Sequence, residues 1–168
     1  TIGSIDWNEV HQVSKSLSRP DTSIFNYNTY LFFLTLEFYR YRRFQHPFST
    51  SIISLGLESG VQQPYAVPPQ GLAQIGQHMK KIIRETDMVF HYGDLGLACI
   101  HPCTDMNTVK SLAANLREIL NQKSIDINGT SYRVIASIGT STLPEQCETL
   151  QDMVSLAQPR SVTGSDRS

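Results

Sequence analysis

The chain has 168 residues, 40% of them hydrophobic and 17% charged. That mixture excludes a disordered tail and a membrane-embedded protein, and a domain of this length buries roughly 70% of its unfolded surface. Fourteen basic residues nearly balance fifteen acidic ones, so no overall field draws in nucleic acid or an anionic bilayer, and a charged ligand must be held by a local cluster.

Three cysteines without framework spacing argue for a reducing compartment over a disulfide scaffold. The chain opens on Thr1 with no basic-then-apolar leader, and no run of about 18 apolar residues occurs. It is expected to be a piece of a longer chain.

Ile5, Val10, Val13 and Leu17 follow helical spacing and predict a lead-in helix that Ser18-Arg19-Pro20-Asp21 breaks. Ile24 to Phe44 is apolar and aromatic at helical spacing and ends in Arg40, Arg42 and Arg43, which suit a helix C-terminus; Asn28 or Thr29 is the expected cap. Its aromatic residues read better as a helix packed on a sheet than as a ligand-stacking surface. Phe48 to Leu57 reads as a buried strand, and Pro64, Pro68 and Pro69 make Gln62 to Gln70 a loop.

Leu72 to Arg84 predicts a helix. Met88 to His91 and Leu95 to His101 predict strands around a Gly93-Asp94 turn. Thr104 is the expected cap of a helix reaching about Asn121. Ile125 to Ile127 and Ser131 to Ser137 flank Asn128-Gly129, a second hairpin signal. Pro144 is expected to open a last helix reaching about Ala157. Pro159 to Ser168 is Ser-, Gly- and Arg-rich and reads as a flexible tail. The order predicts an α+β fold with a βαββαβ core: a mostly antiparallel central sheet flanked by helices. The expected division is residues 1–20 as lead-in helix and linker, 21–158 as the domain, and 159–168 as tail.

The segment Arg84-Glu85-Thr86-Asp87, followed by His91-Tyr92-Gly93-Asp94-Leu95-Gly96-Leu97, resembles the diguanylate cyclase (GGDEF) family. That family's hairpin reads R-x-x-D, three residues, then R/H-Y-G-G-D-E-F. The likeness extends to Thr22, Ile24 and Asn26 (L-T-G-L-x-N), to Glu37 through Arg43 (E-x-x-R-A-x-R) and to Ala136-Ser137-Ile138-Gly139 (S-I-G). The resemblance implies a bacterial, cytoplasmic or membrane-proximal signalling protein concerned with biofilm, motility or exopolysaccharide output.

The departures bear on chemistry. Members that make cyclic di-GMP need carboxylates to hold two divalent metals against a GTP triphosphate. Read without a gap, Leu95 and Gly96 stand at the two acids of the signature; one deleted glycine puts Asp94 at the first, with Leu95 still at the second. Gly56 stands at the first-strand metal aspartate, with Glu58 two residues on. Gln62 to Pro69 replaces the guanine-reading segment, and Gln158 and Pro159 stand near the expected lysine. The resemblance therefore implies a degenerate GGDEF domain with no catalytic residues, no metal and no cofactor.

Arg84 and Asp87 match the family's inhibitory site, which binds cyclic di-GMP. An arginine fork can contact a phosphate or the O6/N7 edge of guanine, and a carboxylate can accept from N1–H and N2–H. Arg117, on the helix after the hairpin, matches the second arginine that a neighbouring copy contributes. R-x-x-D arises by chance roughly once per 270 positions at average composition, so its place before Tyr92-Gly93 gives it weight. Against ligand binding stands a plain surface ion pair, with Arg84 ending a helix and Asp87 closing the turn.

The first expectation is a cyclic di-GMP receptor acting on other domains of its protein or on a second copy. The alternatives are a scaffold that docks a protein through the aromatic helix or the proline loop, and a residual GTP binder using Asp94 and Glu58. Cys99, His101 and Cys103 alternate along one strand, but without a fourth ligand or turn-like spacing they read as buried strand residues rather than zinc ligands. His91 reads as packing, and Asn128-Gly129-Thr130 as a hairpin turn rather than a glycosylation acceptor.

Overall fold

In the computed structural model, which describes residues 3–60, 63–94 and 96–159, alternating burial organises the chain around one sheet. The elements in order are α1 (Trp7–Ser16), α2 (Tyr27–Phe44), β1 (Phe48–Leu57), α3 (Pro69–Lys80), β2 (Met88–Tyr92), β3 (Gly96–His101), α4 (Met106–Asn121), β4 (Ser124–Ile127), β5 (Thr130–Leu143) and α5 (Leu150–Ala157). The strand order is β2-β3-β1-β5-β4, and every pairing is antiparallel. Both hairpins form, and β1 lies at the centre between β3 and β5.

Period-two alternation sends β1 side chains to opposite faces. Ile53, Leu55 and Leu57 join Leu97 and Cys99 of β3 under Leu72, Ile75 and Met79 of α3 and Leu116 and Leu120 of α4. Phe48 and Ile52 join Phe90, Ala98 and Ile100 under Tyr30 and Leu34 of α2 and Met153 and Ala157 of α5. The α+β architecture expected from the sequence is therefore present, with a core on each face of the sheet. Gly139 is required for the second: a Cβ there would stand 2.2 Å from the Ala157 carbonyl oxygen, so only glycine lets the end of α5 seat on β5.

Several boundaries differ from expectation for local reasons. The cap of α2 is Asn26, whose Oδ1 accepts from the Thr29 amide at 2.9 Å. Residues before it serve the sheet instead: Phe25 bridges Phe90, and its carbonyl accepts from the His91 amide at 2.7 Å. Helix α3 begins at Pro69, earlier than expected, and ends at Lys80, so Arg84 lies beyond it in a turn. Asp105, not Thr104, caps α4, accepting from the Thr108 amide at 2.8 Å. Helix α5 starts at Leu150 under a Thr149 cap rather than at Pro144.

The α2 helix packs with one side only. Tyr30, Leu34 and Glu37 are buried, whereas Phe32 and Tyr39 are 61% and 57% exposed. Helix α1 buries no residue. Val61, Gln62 and Leu95 lie outside the described residues, as does the expected tail beyond Pro159.

Candidate functional site

The register of β1 defines two ends of the sheet. Ser54 pairs with Gly96 beside the β2–β3 turn, and Ser49 pairs with His101 at the other end. At about 3.3 Å per residue, Ser49 and Gly56 are about 23 Å apart.

At the hairpin end the chain folds back on itself. The Leu57 amide donates to the Tyr65 carbonyl and the Tyr65 amide to the Leu57 carbonyl, both at 2.9 Å. This bridge lays Pro64 on Gly56, where a Cβ would stand 2.6 Å from the proline Cβ. The proline loop thus occupies the space an aspartate side chain would need. Glu58 and Asp94 are exposed. Among the described residues, no group of three or more His, Cys, Asp or Glu side chains is placed to hold a metal ion. The residues present do not fit a two-metal triphosphate site. Gln158 donates to the Tyr92 hydroxyl and carries no charge for a phosphate.

At the opposite end the sequence builds a polar network. Residues Arg84 to Asp87 form a turn closed by Asp87, whose Oδ2 accepts from the Arg84 amide at 3.0 Å and from its Nε at 3.4 Å. Oδ1 accepts from Arg84 Nη2 at 3.2 Å, and Nη2 also donates to the Thr104 hydroxyl. The Asp87 side chain is wholly enclosed, whereas that of Arg84 is 44% exposed. Among the described residues, no acceptor is recorded for Arg84 Nη1.

Behind Asp87 stands His101, 1% exposed, with Nδ1 at 3.3 Å from Oδ1. That contact has ion-pair distance without the alignment of a well-formed hydrogen bond. On its other side, His101 Nε2 meets Ser51 Oγ at 2.8 Å. Burial pushes the Asp87 carboxyl up, but contacts from His101 and Arg84 outweigh it and leave it below 3.8. Asp87 is thus an anion hydrogen-bonded by Arg84 and approached at ion-pair distance by His101. The order Ser51–His101–Asp87 is that of a hydrolytic triad. Ser51 is only 2% exposed, however, so no substrate carbonyl can reach its hydroxyl.

The structure brings Arg84 and Asp87 together but leaves Arg117 apart. Arg117 lies eleven residues beyond the start of α4, about 16 Å along the helix axis. It borders a shallow groove of about 170 Å³ with Lys110, Ala113, Ala114, Ile138 and Thr140. Cys99 and His101 share a face as their alternation suggested, but Cys103 is exposed beyond β3. His91 is packed, with Nε2 at 2.5 Å from the Thr22 hydroxyl; burial pushes it down to about 4. The turn between β4 and β5 holds Asn128 and Gly129 at positive φ, 51° and 83°, as a tight hairpin turn requires. Sequence reading missed Ser51 and Thr104 as members of the network. Their signal was polar residues at core-facing strand and loop positions, with nothing local to say whom they meet.

No curated protein matches the sequence. Among solved structures, the fold is similar to the FimX GGDEF domain from Pseudomonas aeruginosa. The TM-score is 0.74 at 19% identity, over 84% of this chain and 88% of that one. Diguanylate cyclase SiaD from Pseudomonas aeruginosa, solved with its activator SiaC, gives a TM-score of 0.73 at 19% identity, over 89% of this chain and 58% of that one. The coiled coil and GGDEF domain of DgcB from Caulobacter crescentus, solved in complex with c-di-GMP, gives 0.71 at 12% identity, over 90% and 82%. These identities establish the fold alone. The sequence model described as "Diguanylate cyclase, GGDEF domain" matches residues 69–160, more than half of the chain and the span that holds both hairpins and the Arg84 turn. On that match, the chain belongs to the GGDEF domain family.

Proposed function

We propose that this is a non-catalytic GGDEF domain that binds cyclic di-GMP through Arg84 and Asp87, within a larger bacterial signalling protein. The observation that carries the reading is the Arg84 guanidinium. It is held by an enclosed carboxylate while its side chain stays 44% exposed, in the turn the family uses for this ligand. A cation pre-oriented in this way binds phosphate or a guanine edge without first losing rotamer freedom. Packing of Pro64 on Gly56 supports the absence of cyclase activity. A GGDEF neighbour solved with c-di-GMP makes the ligand a reasonable one for this fold.

In this reading Asp87 acts first by holding Arg84. It meets the guanine edge directly when its bond to the Arg84 amide opens. Arg117 is supplied by a second copy, because one chain keeps it well away from Arg84. A ligand bridging two copies favours the dimer only as far as it binds the dimer better.

The test is calorimetric titration of cyclic di-GMP into the protein, with GTP and magnesium as control. Saturable binding is expected, and Arg84→Ala should weaken it about ten- to a hundredfold, the loss of a charge-assisted contact. An unchanged dissociation constant in that variant rejects the site. Cyclic di-GMP formed from GTP rejects the non-catalytic assignment.

A second reading has its own observation. The outer side of α2 exposes Phe32, Leu36 and Tyr39, an apolar stripe suited to docking a protein. It predicts no nucleotide binding, and loss of partner capture in Phe32→Ser.

A further inference from the structure

We infer that His101, steadied by Ser51, is the positioning residue of the Arg84 site: it braces the Asp87 carboxylate from the interior, and the carboxylate in turn orients the guanidinium at the surface. The chain of contacts is continuous. Ser51 Oγ meets His101 Nε2 at 2.8 Å, His101 Nδ1 lies 3.3 Å from Asp87 Oδ1, and both Asp87 oxygens meet Arg84. Ser51, His101 and the Asp87 side chain are all buried, and only the Arg84 side chain, 44% exposed, reaches solvent. A polar chain that leads from the core to one half-exposed cation has a direction. Its inner members fix the outer one, which is the member most open to a solute.

The chemistry of each member agrees. An ionised carboxylate only accepts, so His101 Nδ1 must carry the proton that faces it. In the neutral ring, Nε2 then accepts from the Ser51 hydroxyl, which fixes the tautomer and the ring plane. Arg84 fills the remaining acceptor sites of Asp87. Without His101, the carboxylate would depend on the arginine it is meant to hold and could swing with it. The groups facing His101 are Ser51 from β1, Asp87 from the turn before β2, and Cys99 two residues back on β3. The Cys99 thiol is pushed by burial up to about 12 and stays neutral. An apolar side chain at 101 would satisfy the β3 pattern equally well, so histidine is there for its nitrogens.

The effect on ligand rests on the receptor reading above; the effect on Arg84 does not. Three variants of the full chain separate them. His101→Leu removes both nitrogens. His101→Asn keeps an amide N–H near the position of Nδ1. His101→Gln reaches toward Ser51 and leaves Asp87 unbraced, which keeps the comparison available if the leucine variant does not fold. The first readout is the Arg84 Nε–H signal in a nitrogen-15 NMR spectrum, with exchange slowed in the wild type by its carboxylate partner. It should sharpen equally in the wild type and His101→Asn, and broaden and exchange fast in His101→Leu and His101→Gln.

The second readout is cyclic di-GMP affinity, expected to fall about three- to tenfold in His101→Leu and His101→Gln and to recover in His101→Asn. An Arg84 signal indifferent to all three substitutions overturns the inference. So does equal weakening in the asparagine and glutamine variants, which would mean that position 101 only packs. If the wild type binds no cyclic di-GMP, the receptor reading fails while the Arg84 signal still decides the role of His101.

Discussion

The two ends of β1 have opposite chemistry although one strand supplies both. At the hairpin end, Gly56 lies under Pro64, the backbone of Leu57 is paired with that of Tyr65, and the acids Glu58 and Asp94 are exposed. At the other end, Ser49 and Ser51 are buried but hydrogen-bonded to Thr104, Thr142 and His101, and the network continues through Asp87 to Arg84. The first end is closed with backbone and proline. The second buries polar groups and satisfies them with one another. The partly exposed cation backed by a buried polar network stands at the second end, not beside the hairpin.

The largest effect is expected from placing a carboxylate at position 56. Gly56→Asp places a Cβ against Pro64, and overpacking of this kind costs about 3 kcal/mol at its upper end. Urea unfolding should show that loss, and adding Pro64→Gly should recover more than about 1 kcal/mol of it, because the two sites are in contact. Equal losses in the single and double variants would mean the loop does not seal Gly56, and the contrast between the ends would weaken.

Acid offers a second, smaller probe. His91 at the hairpin strand is held neutral, with burial lowering it from 6.5 to about 4. The unfolded chain takes its proton near 6.5 and the folded one only near 4. Stability from this group is therefore full above 6.5 and is lost as pH falls toward 4, amounting to about 2 kcal/mol between pH 7 and pH 5. Asp87 shifts in the same direction but in a lower window: its carboxyl is lowered, so its contribution persists from pH 7 to pH 5 and is lost only as pH falls below 3.8. His91→Gln should flatten the pH 7 to pH 5 difference in unfolding free energy, and Asp87→Asn should leave it intact. The reverse result would place the acid-sensitive element at the Arg84 end.

The contrast explains what the sequence disclosed. Strand β1, both hairpins and the α4 span follow from local pattern and turn chemistry, and they were legible. The end of α3 was not: Ile82 and Ile83 continue the helical period, yet their amides bond to the Met79 carbonyl in a closing turn that Asp87 then caps. Ile24 and Phe25 read as part of the apolar stretch leading into α2; Phe25 bridges Phe90 of β2 instead, and such a partner is invisible locally. Arg84 and Asp87 could be picked out because they are three residues apart. Ser51 and His101 could not, since their bond joins strands fifty residues apart. Pro64 on Gly56 was half legible: a proline loop was evident, its landing place was not.

The mildest test sits where Arg84 leaves the core. Thr104 is 1% exposed, accepts from Arg84 Nη2, and donates to the Pro102 carbonyl at 2.8 Å. Thr104→Val keeps the shape and removes the hydroxyl. Arg84 retains Asp87 and can turn its freed N–H to water because its side chain is half exposed, whereas the Pro102 carbonyl loses a donor. The expected cost is about 1 kcal/mol in urea unfolding, smaller than that of Gly56→Asp. Cyclic di-GMP affinity should change less than in Arg84→Ala, because the carboxylate still sets the guanidinium. An affinity loss as large as that of Arg84→Ala would mean that Thr104, rather than the Asp87–His101 pair, orients the arginine, and the direction assigned to the buried network would be wrong.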